Sequence, residues 1–527
     1  MTPINSISSK KRSETPVSRQ ESPKKKKLIN DPAEYITNLV EVKALLSSRF
    51  DGSSNPAQKS DASAEQKPTY TIENGLRKVA PYWYRYIAHA KERWFGRTVL
   101  EVFSSEFKGK DSSYYSQAIQ TQKIMVNGKA TTLDYSIKNG DIITHLMHRH
   151  ESPVPNKKIK ILSLAKLSES CWFLGIEKPV GIPVHPTGKF NFNSLLEILK
   201  HEYGIHNIFI SNRLDRLVSG VMVVPTSRKA AQIFARQLES NLVNKTYICR
   251  ILGDFDSDSP VICNAPIRTI AHKLSLNYVD FENGKPCSTE FTKLFSSGNT
   301  SVVLCKPLTG RTHQIRVHLQ YLGFPIVNDP IYCNPSVWGI GLGTRGRLPD
   351  LNEEFLGNET YFSSDGYSLN NKTSTKDLHS ELKNTVPAEE NEMSKDTQRS
   401  IYQTVINNMQ NQIRNNLLST FSEAFITPNN YPRLHKTSAP NLNNNSSDEL
   451  GKNANDPKYN CPDCDYEEPR DSFDVEEMGI WLHALSYSGP NWSFETETPD
   501  WAKPEYEANV PDFLLKSIEH IQNSAKK

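Results

Sequence analysis

The sequence lacks several features that would settle its class at once. No apolar run approaches the ~20 residues of a membrane span, and no signal-peptide pattern opens the chain, so a soluble protein is expected. There is almost no charge imbalance: 62 basic against 59 acidic residues leave a net +3, so nucleic-acid binding cannot be argued from global charge and must rest on local patches. Cysteine is sparse, eight in 527 residues, and Cys249, Cys263 and Cys305 lie inside apolar runs, which suits reduced core thiols of an intracellular protein and excludes a disulfide scaffold. Metal motifs are incomplete. Cys461-Pro462-Asp463-Cys464 has no second CxxC at suitable spacing, and no cysteine or carboxylate completes a ligand set around His145, His148 and His150. No metal is expected.

Apolar residues are also scarce. With 37% hydrophobic content and a mean hydropathy of −0.57, the chain must carry long solvated stretches beside roughly two to four domains. Residues 1–68 are rich in Ser, Lys and Pro and are expected to be a disordered basic tail. Lys10-Lys11-Arg12 and Lys24-Lys25-Lys26-Lys27 suit a nuclear-import signal or a solvated tail equally, so nucleus and/or cytoplasm are the expected compartments. A mitochondrial address is disfavoured, because such segments prefer Arg to Lys and form amphipathic helices. Residues 336–457, rich in Asn, Ser and acidic side chains, are expected to be a mostly disordered insertion. Within it Ile401, Val405, Met409, Ile413, Leu417 and Phe421 recur every four residues, which predicts a helix over 401–421 that docks on the core or, as the less favoured alternative, binds a partner. Residues 506–527 are expected to form a C-terminal tail.

What is present is organised in two units. Over 69–150, Tyr115, Ile119 and Ile124 predict a helix leading into a strand, Asn127-Gly128 a hairpin, and Ile142-Ile143 a further strand, giving a small α+β unit. It offers Arg77, Lys78, Arg85, Arg93, Arg97, Lys123, Lys129 and Lys138, with Tyr82, Trp83, Tyr84 and Trp94 interleaved, as phosphate contact and base stacking would require. Over 158–335, the runs Ile159–Leu164, Trp172–Ile176, Val221–Val224, Thr246–Leu252 and Val302–Leu304 predict strands, and Ala230, Phe234 and Leu238 an amphipathic helix. Strands outnumber helices without strict alternation, so the fold class is α+β with a mixed or antiparallel sheet.

The chemistry concentrates in two segments. Arg213-Leu214-Asp215-Arg216-Leu217-Val218-Ser219-Gly220 sets one carboxylate between two guanidiniums at the entrance of an apolar strand, where a core should exclude charge. Gly310-Arg311-Thr312-His313-Gln314-Ile315-Arg316-Val317-His318 is a second cluster dense in donors, with Leu319 and Leu322 at helical spacing from Ile315. Together they resemble the R-L-D-x-x-[ST]-S-G and G-R-[ST]-H-Q-[IL]-R segments of the RluA-type RNA pseudouridine synthases. Glu73–Arg77, Gly96–Thr98, Met125–Lys129 and Asn139–Asp141 resemble the upstream region and S4-like RNA-binding module of eukaryotic members. Glu177-Lys178-Pro179, Asn244–Tyr247, Asp329–Tyr332 and Leu482-His483-Ala484 match in order, so the likeness covers about 70–335 and 458–505. Among family members the chain is most similar to fungal enzymes acting on the anticodon loop of transfer RNA.

The resemblance implies a pseudouridine synthase fold whose catalytic domain begins at 158–335 and ends with 458–505, and an isomerase that needs no cofactor and acts as a monomer. It implies that Asp215 is the catalytic carboxylate, as nucleophile or as base, that Arg316 pairs with it, and that Tyr247 packs on the flipped uracil. Arg213 would fill the gap left by the base, and Arg216, Arg311, His313, Gln314, Lys129 and Arg97 would contact RNA. Asn212 and Val218 depart from the common His and Thr of relatives and bear on loop geometry. A fused deaminase is rejected, because His379-Ser380-Glu381 stands far from Cys461 and no proline precedes that cysteine. Ribosomal or other RNA, or an RNA-folding role with incidental catalysis, remain alternatives to a transfer-RNA substrate.

Overall fold

The computed structural model describes residues 34–48, 67–107, 110–169, 171–257, 259–271, 275–346 and 478–525. The five apolar runs become the strands Lys160–Ser168, Cys171–Lys178, Ser219–Pro225, Asn244–Leu252 and Thr300–Pro307 of one large sheet. Its order across the path is Glu34–Ile36, Lys160–Ser168, Cys171–Lys178, Ser219–Pro225, Leu482–Gly489, Asn244–Leu252, Thr300–Pro307, Thr289–Ser297 and Val261–Cys263, with Trp492–Glu495 hairpinned onto Leu482–Gly489. Neighbours are antiparallel except Ser219–Pro225 beside Leu482–Gly489, which makes the sheet mixed, as expected. Val221, Met222, Val223 and Val224 are all fully buried, because this central strand is covered on both faces and its run is therefore continuous rather than alternating.

The Arg228–Glu239 helix lays Ala230 and Phe234 on the sheet, where Phe234 meets Phe173 and Trp492 at 5.5 and 5.7 Å between ring centroids. The Gln314–Leu322 helix is buried from Gln314 to Gln320. The small unit forms separately as the strands Tyr82–His89, Ile142–Arg149, Ile124–Val126 and Lys129–Ala130, in that order, under the helices Val99–Glu106 and Ser112–Gln120. Thr98 and Glu101 close a reciprocal N-terminal cap on the first helix, and Asn127-Gly128, both at positive φ, make the expected hairpin turn.

Three domain boundaries need correction. The basic tail was expected to run to residue 68, yet Glu34–Ile36 adds an edge strand against Lys160–Ser168, and the Leu39–Ser48 helix buries Val42 and Leu46. The insertion was expected from residue 336, yet Pro335–Trp338 is helical and Val337, Trp338 and Leu342 are core residues. The C-terminal tail contains the helix Asp512–Ala525, with Leu514 and Ser517 fully buried. In each case a few apolar residues at packing distance outweigh polar surroundings. The 401–421 stripe, the Cys461/Cys464 pair and the basic clusters before residue 34 lie outside the described residues. No described helix is long and apolar enough to cross a membrane.

The small unit is fastened to the large one. Glu151 accepts the backbone N–H groups of Asn191, Phe192 and Asn193 at 2.9 Å each and the Tyr82 hydroxyl at 2.7 Å. Arg77 is buried beside it, donating to Asn193 and Phe192 and pairing with Glu202 at 3.0 Å. Arg77 and Tyr82 therefore serve the seam and not the RNA-facing set to which composition assigned them.

Candidate active site

The loop before Ser219–Pro225 owes its shape to the parallel junction behind it. Gly220 takes φ +113°, and a Cβ there would lie 2.2 Å from the Ala484 carbonyl oxygen, so only glycine fits. Ser219 Oγ sits 2.8 Å from His483 Nδ1, whose other nitrogen is 2.7 Å from Thr496 Oγ1. Lys178, fully buried, donates its ammonium to the carbonyls of Pro179, Ile182 and Arg216 at 2.8, 3.0 and 3.2 Å, tying the loop to the neighbouring strand. Burial, then the nearby Arg216, draw the Lys178 pKa down to about 7.

These contacts set Asp215 at the floor of a cleft of about 580 Å³, also lined by Arg213, Lys245, Tyr247, Arg311, His313, Arg316 and Tyr487. Asp215 Oδ2 lies 3.2 Å from Arg316 Nη1 and 3.5 Å from His313 Nε2. Burial works against the carboxylate, but His313, Arg316 and Arg213 outweigh it and hold its pKa below the ordinary value. Arg316 is itself clamped: its Nε and Nη2 donate to the two oxygens of the fully buried Asp329 at 2.6 and 2.9 Å, leaving Nη1 for Asp215. Burial disfavours its charge, and Asp329 more than restores it.

Tyr247 faces the same floor from the Asn244–Leu252 strand, its hydroxyl hydrogen-bonded to that of Tyr487. Burial, reinforced by Tyr487, raises its pKa well above the ordinary phenol value, so the ring stays neutral. Burial likewise lifts Tyr487 to about 12. The cleft thus joins one ionised carboxylate, one oriented guanidinium and one neutral aromatic face.

Other site expectations divide. Arg213 and Arg311 are exposed on the rim, Arg311 also donating to the Pro286 carbonyl at 3.3 Å. Arg216 is not available to RNA: it is 4% exposed, with its guanidinium 5.4 Å from the centre of the Phe190 ring and 3.5 Å from the Gly181 carbonyl. Gln314 is buried as a brace, donating to the Ser288 carbonyl and Thr289 Oγ1 and accepting from Thr309 and the Arg311 N–H. His313 is buried against Asp215 instead of facing solvent. Arg97, engaged with Ser105 and Glu106, and exposed Lys129 belong to the small unit and do not line the cleft. Asp329, Tyr332, Lys178 and His483 belong to motifs in the sequence that give them no individual role. Tyr487 carried no sequence signal, since only strand pairing brings it to Tyr247.

Over residues 173–321 the chain matches the family described as RNA pseudouridylate synthase. It is 40% identical over 333 residues to a Saccharomyces cerevisiae protein named tRNA pseudouridine(32) synthase, mitochondrial, covering 62% of this chain and 69% of that one. It is 30% identical over 466 residues to RNA pseudouridine synthase 7 of Oryza sativa subsp. japonica, covering 86% and 97%. The S. cerevisiae tRNA pseudouridine(31) synthase is 34% identical over 300 residues, covering 50% and 73%. The mitochondrial relative overturns the expectation of nucleus and/or cytoplasm. That expectation weighed Lys against Arg in the N-terminal clusters, and a positive, Ser-rich segment does not discriminate between the two addresses on composition.

Proposed function

Because the chain belongs to the RNA pseudouridylate synthase family, we propose that it isomerises uridine to pseudouridine in transfer RNA, with the anticodon stem-loop as its target. One observation carries the reading: an ionised Asp215 held 3.2 Å from Arg316 on the floor of a cleft that Tyr247 also lines. Isomerisation breaks the bond between uracil N1 and the ribose, turns the base and joins C5 to the same carbon. The uridine must leave its stack to enter such a cleft. Asp215 supplies the anionic oxygen, as nucleophile or as base toward the sugar. Arg316 keeps that oxygen charged and oriented, and Tyr247 offers a flat neutral face to the detached uracil. Arg213 and Arg311 on the rim meet phosphate or the strand left behind. The transfer-RNA target draws on the relatives named for positions 31 and 32, and a mitochondrial address on the first of these.

The small unit is proposed to act as an S4-like RNA-contacting module. Its support is the basic and aromatic set left on its surface, including Arg85, Lys123 and half-exposed Trp83, whose ring lies 5.3 Å from the Lys123 ammonium. Incubation of the purified chain with an anticodon stem-loop carrying tritium at uridine C5 tests the main reading. Tritium release that disappears in Asp215→Asn, while RNA binding persists, is the expected result. An Asp215→Asn protein releasing more than a few per cent of the wild-type amount would refute it.

A further inference from the structure

Asp215 has two neighbours, Arg316 and His313, and one tight turn stands behind both. Asp329 accepts the backbone N–H groups of Ile331 and Tyr332 at 2.9 and 3.1 Å, so the side chain that clamps Arg316 also closes the Asp329–Tyr332 turn. The turn is fixed in the core: the Trp338 indole donates to the Ile331 carbonyl at 2.7 Å and its ring stacks on Tyr332. From its far end the Tyr332 hydroxyl reaches His313 Nδ1 at 2.9 Å.

The ionised Asp215 favours a proton on the imidazole nitrogen that faces it. With that proton on Nε2, Nδ1 is left to accept the Tyr332 hydroxyl proton, while the Tyr332 oxygen accepts the Asn277 N–H at 3.2 Å. The protonated nitrogen is then the one 3.5 Å from Asp215 Oδ2. His313 also occupies an unexpected backbone position. It caps the Gln314–Leu322 helix at φ +57°, ψ +20°, where glycine or asparagine is most at ease and a Cβ-branched or bulky residue is strained. A strained histidine kept there, 7% exposed, is kept for its ring.

We propose that Tyr332 and His313 form a neutral positioning relay for the reaction proposed above, in which the Tyr332 hydroxyl fixes the imidazole tautomer and the Nε2–H presents a donor to Asp215. Arg316 supplies charge from one side and His313 a proton-bearing dipole from the other, so the carboxylate keeps one oxygen oriented while the second is free to react. Burial and then Arg316 draw the His313 pKa down to about 4, so the ring is neutral at pH 7 and acts as a donor without becoming a competing cation. The charged and titratable groups around the pair are Arg213, Arg316, Asp329, Lys178 and Tyr247. Neither residue needs to touch substrate.

The test uses the full chain, tritium release from the stem-loop and three variants. Asparagine suits the left-handed backbone but cannot reach Asp215, whereas glutamine can place its amide near the ring Nε2 position. His313→Asn is therefore expected to hold or raise Tm while kcat falls about ten- to a hundredfold, the scale of a hydrogen bond to a charged group, with KM little changed. His313→Gln should turn over faster than His313→Asn. Tyr332→Phe should lower kcat and move the acid limb of the kcat profile upward, because Asp215 loses part of what favours its anion. The same Tyr332→Phe change made in His313→Asn should cost nothing more, because the relay already ends there. Wild-type kcat in His313→Asn, glutamine no better than asparagine, or an equal Tyr332→Phe loss in both backgrounds would each overturn the relay. No tritium release from wild type would instead overturn the isomerase reading beneath it.

Discussion

Gly220→Ala is the sharpest single perturbation of the fold around the site. The added methyl would meet the Ala484 carbonyl oxygen at 2.2 Å and its nitrogen at 2.5 Å, which are backbone atoms that no rotamer change can clear. Two costs combine. Holding an L-residue at positive φ costs about 1–2 kcal/mol, and forcing atoms into a packed position typically about 1–3 kcal/mol. A loss of about 2–5 kcal/mol is a large share of the ~5–15 kcal/mol that separates native from unfolded chains. At roughly 2–4 °C per kcal/mol for a domain of this size, Tm should drop by about 4–20 °C. Activity should fall further than stability. Strain is relieved by parting Ser219–Gly220 from His483–Ala484, and that parting moves Asp215, which the same loop carries. Thermal unfolding by circular dichroism and tritium release at 20 °C give the two readouts. An alanine variant within 2 °C of wild type and fully active would refute the steric reasoning.

Three further outcomes follow from the same geometry. Arg316→Lys should cost at least a hundredfold in kcat, because one ammonium cannot reproduce three directed contacts to Asp329 and Asp215, and near-normal turnover would count against the pairing. Arg311→Ala should weaken stem-loop binding and reduce the salt slope by about one, with Tm unchanged, whereas Arg216→Ala should lower Tm and leave the salt slope alone; gel-shift titrations and thermal scans separate them. His145, His313 and His483 all have pKa values drawn down to about 4, first by burial. Between pH 6.5 and 4 the unfolded chain therefore binds more protons than the native one, and stability is full above pH 6.5 and falls as pH drops, by up to about 1.4 kcal/mol per unit for each histidine. Urea unfolding at pH 7 and pH 5 should show that loss, and replacing His145 with Gln should shrink it.

The sheet was legible because each strand is a short apolar run closed by Gly, Pro or Asn, and the motif loops stand at its ends. Pairing was not. Nothing local places Leu482–Gly489 between Ser219–Pro225 and Asn244–Leu252, or Tyr487 against Tyr247. The two arginines flanking Asp215 look equivalent in sequence, yet Arg213 is exposed and Arg216 is buried over Phe190, because the loop's direction comes from contacts to Gly181 and Lys178. His313 illustrates the same limit. Its motif marked a donor-rich segment, but only the left-handed cap turns the ring from solvent toward Asp215. The Leu39–Ser48 helix was missed because its short apolar stretch is diluted by the long polar segments on either side.

The order of synthesis acquires a meaning from the central strand. Leu482–Gly489 leaves the ribosome roughly ten to fifty seconds after Pro225 at ordinary elongation rates, yet it fills the gap between the strand that follows the Asp215 loop and the strand that carries Tyr247. Until then two inner edges stand open, and the halves of the reaction centre have no shared scaffold. A nascent or prematurely terminated chain therefore cannot modify RNA however much of the motif sequence it contains. Turnover itself reports that translation passed Gly489, and the interval before it is when the chain most needs protection from mispairing.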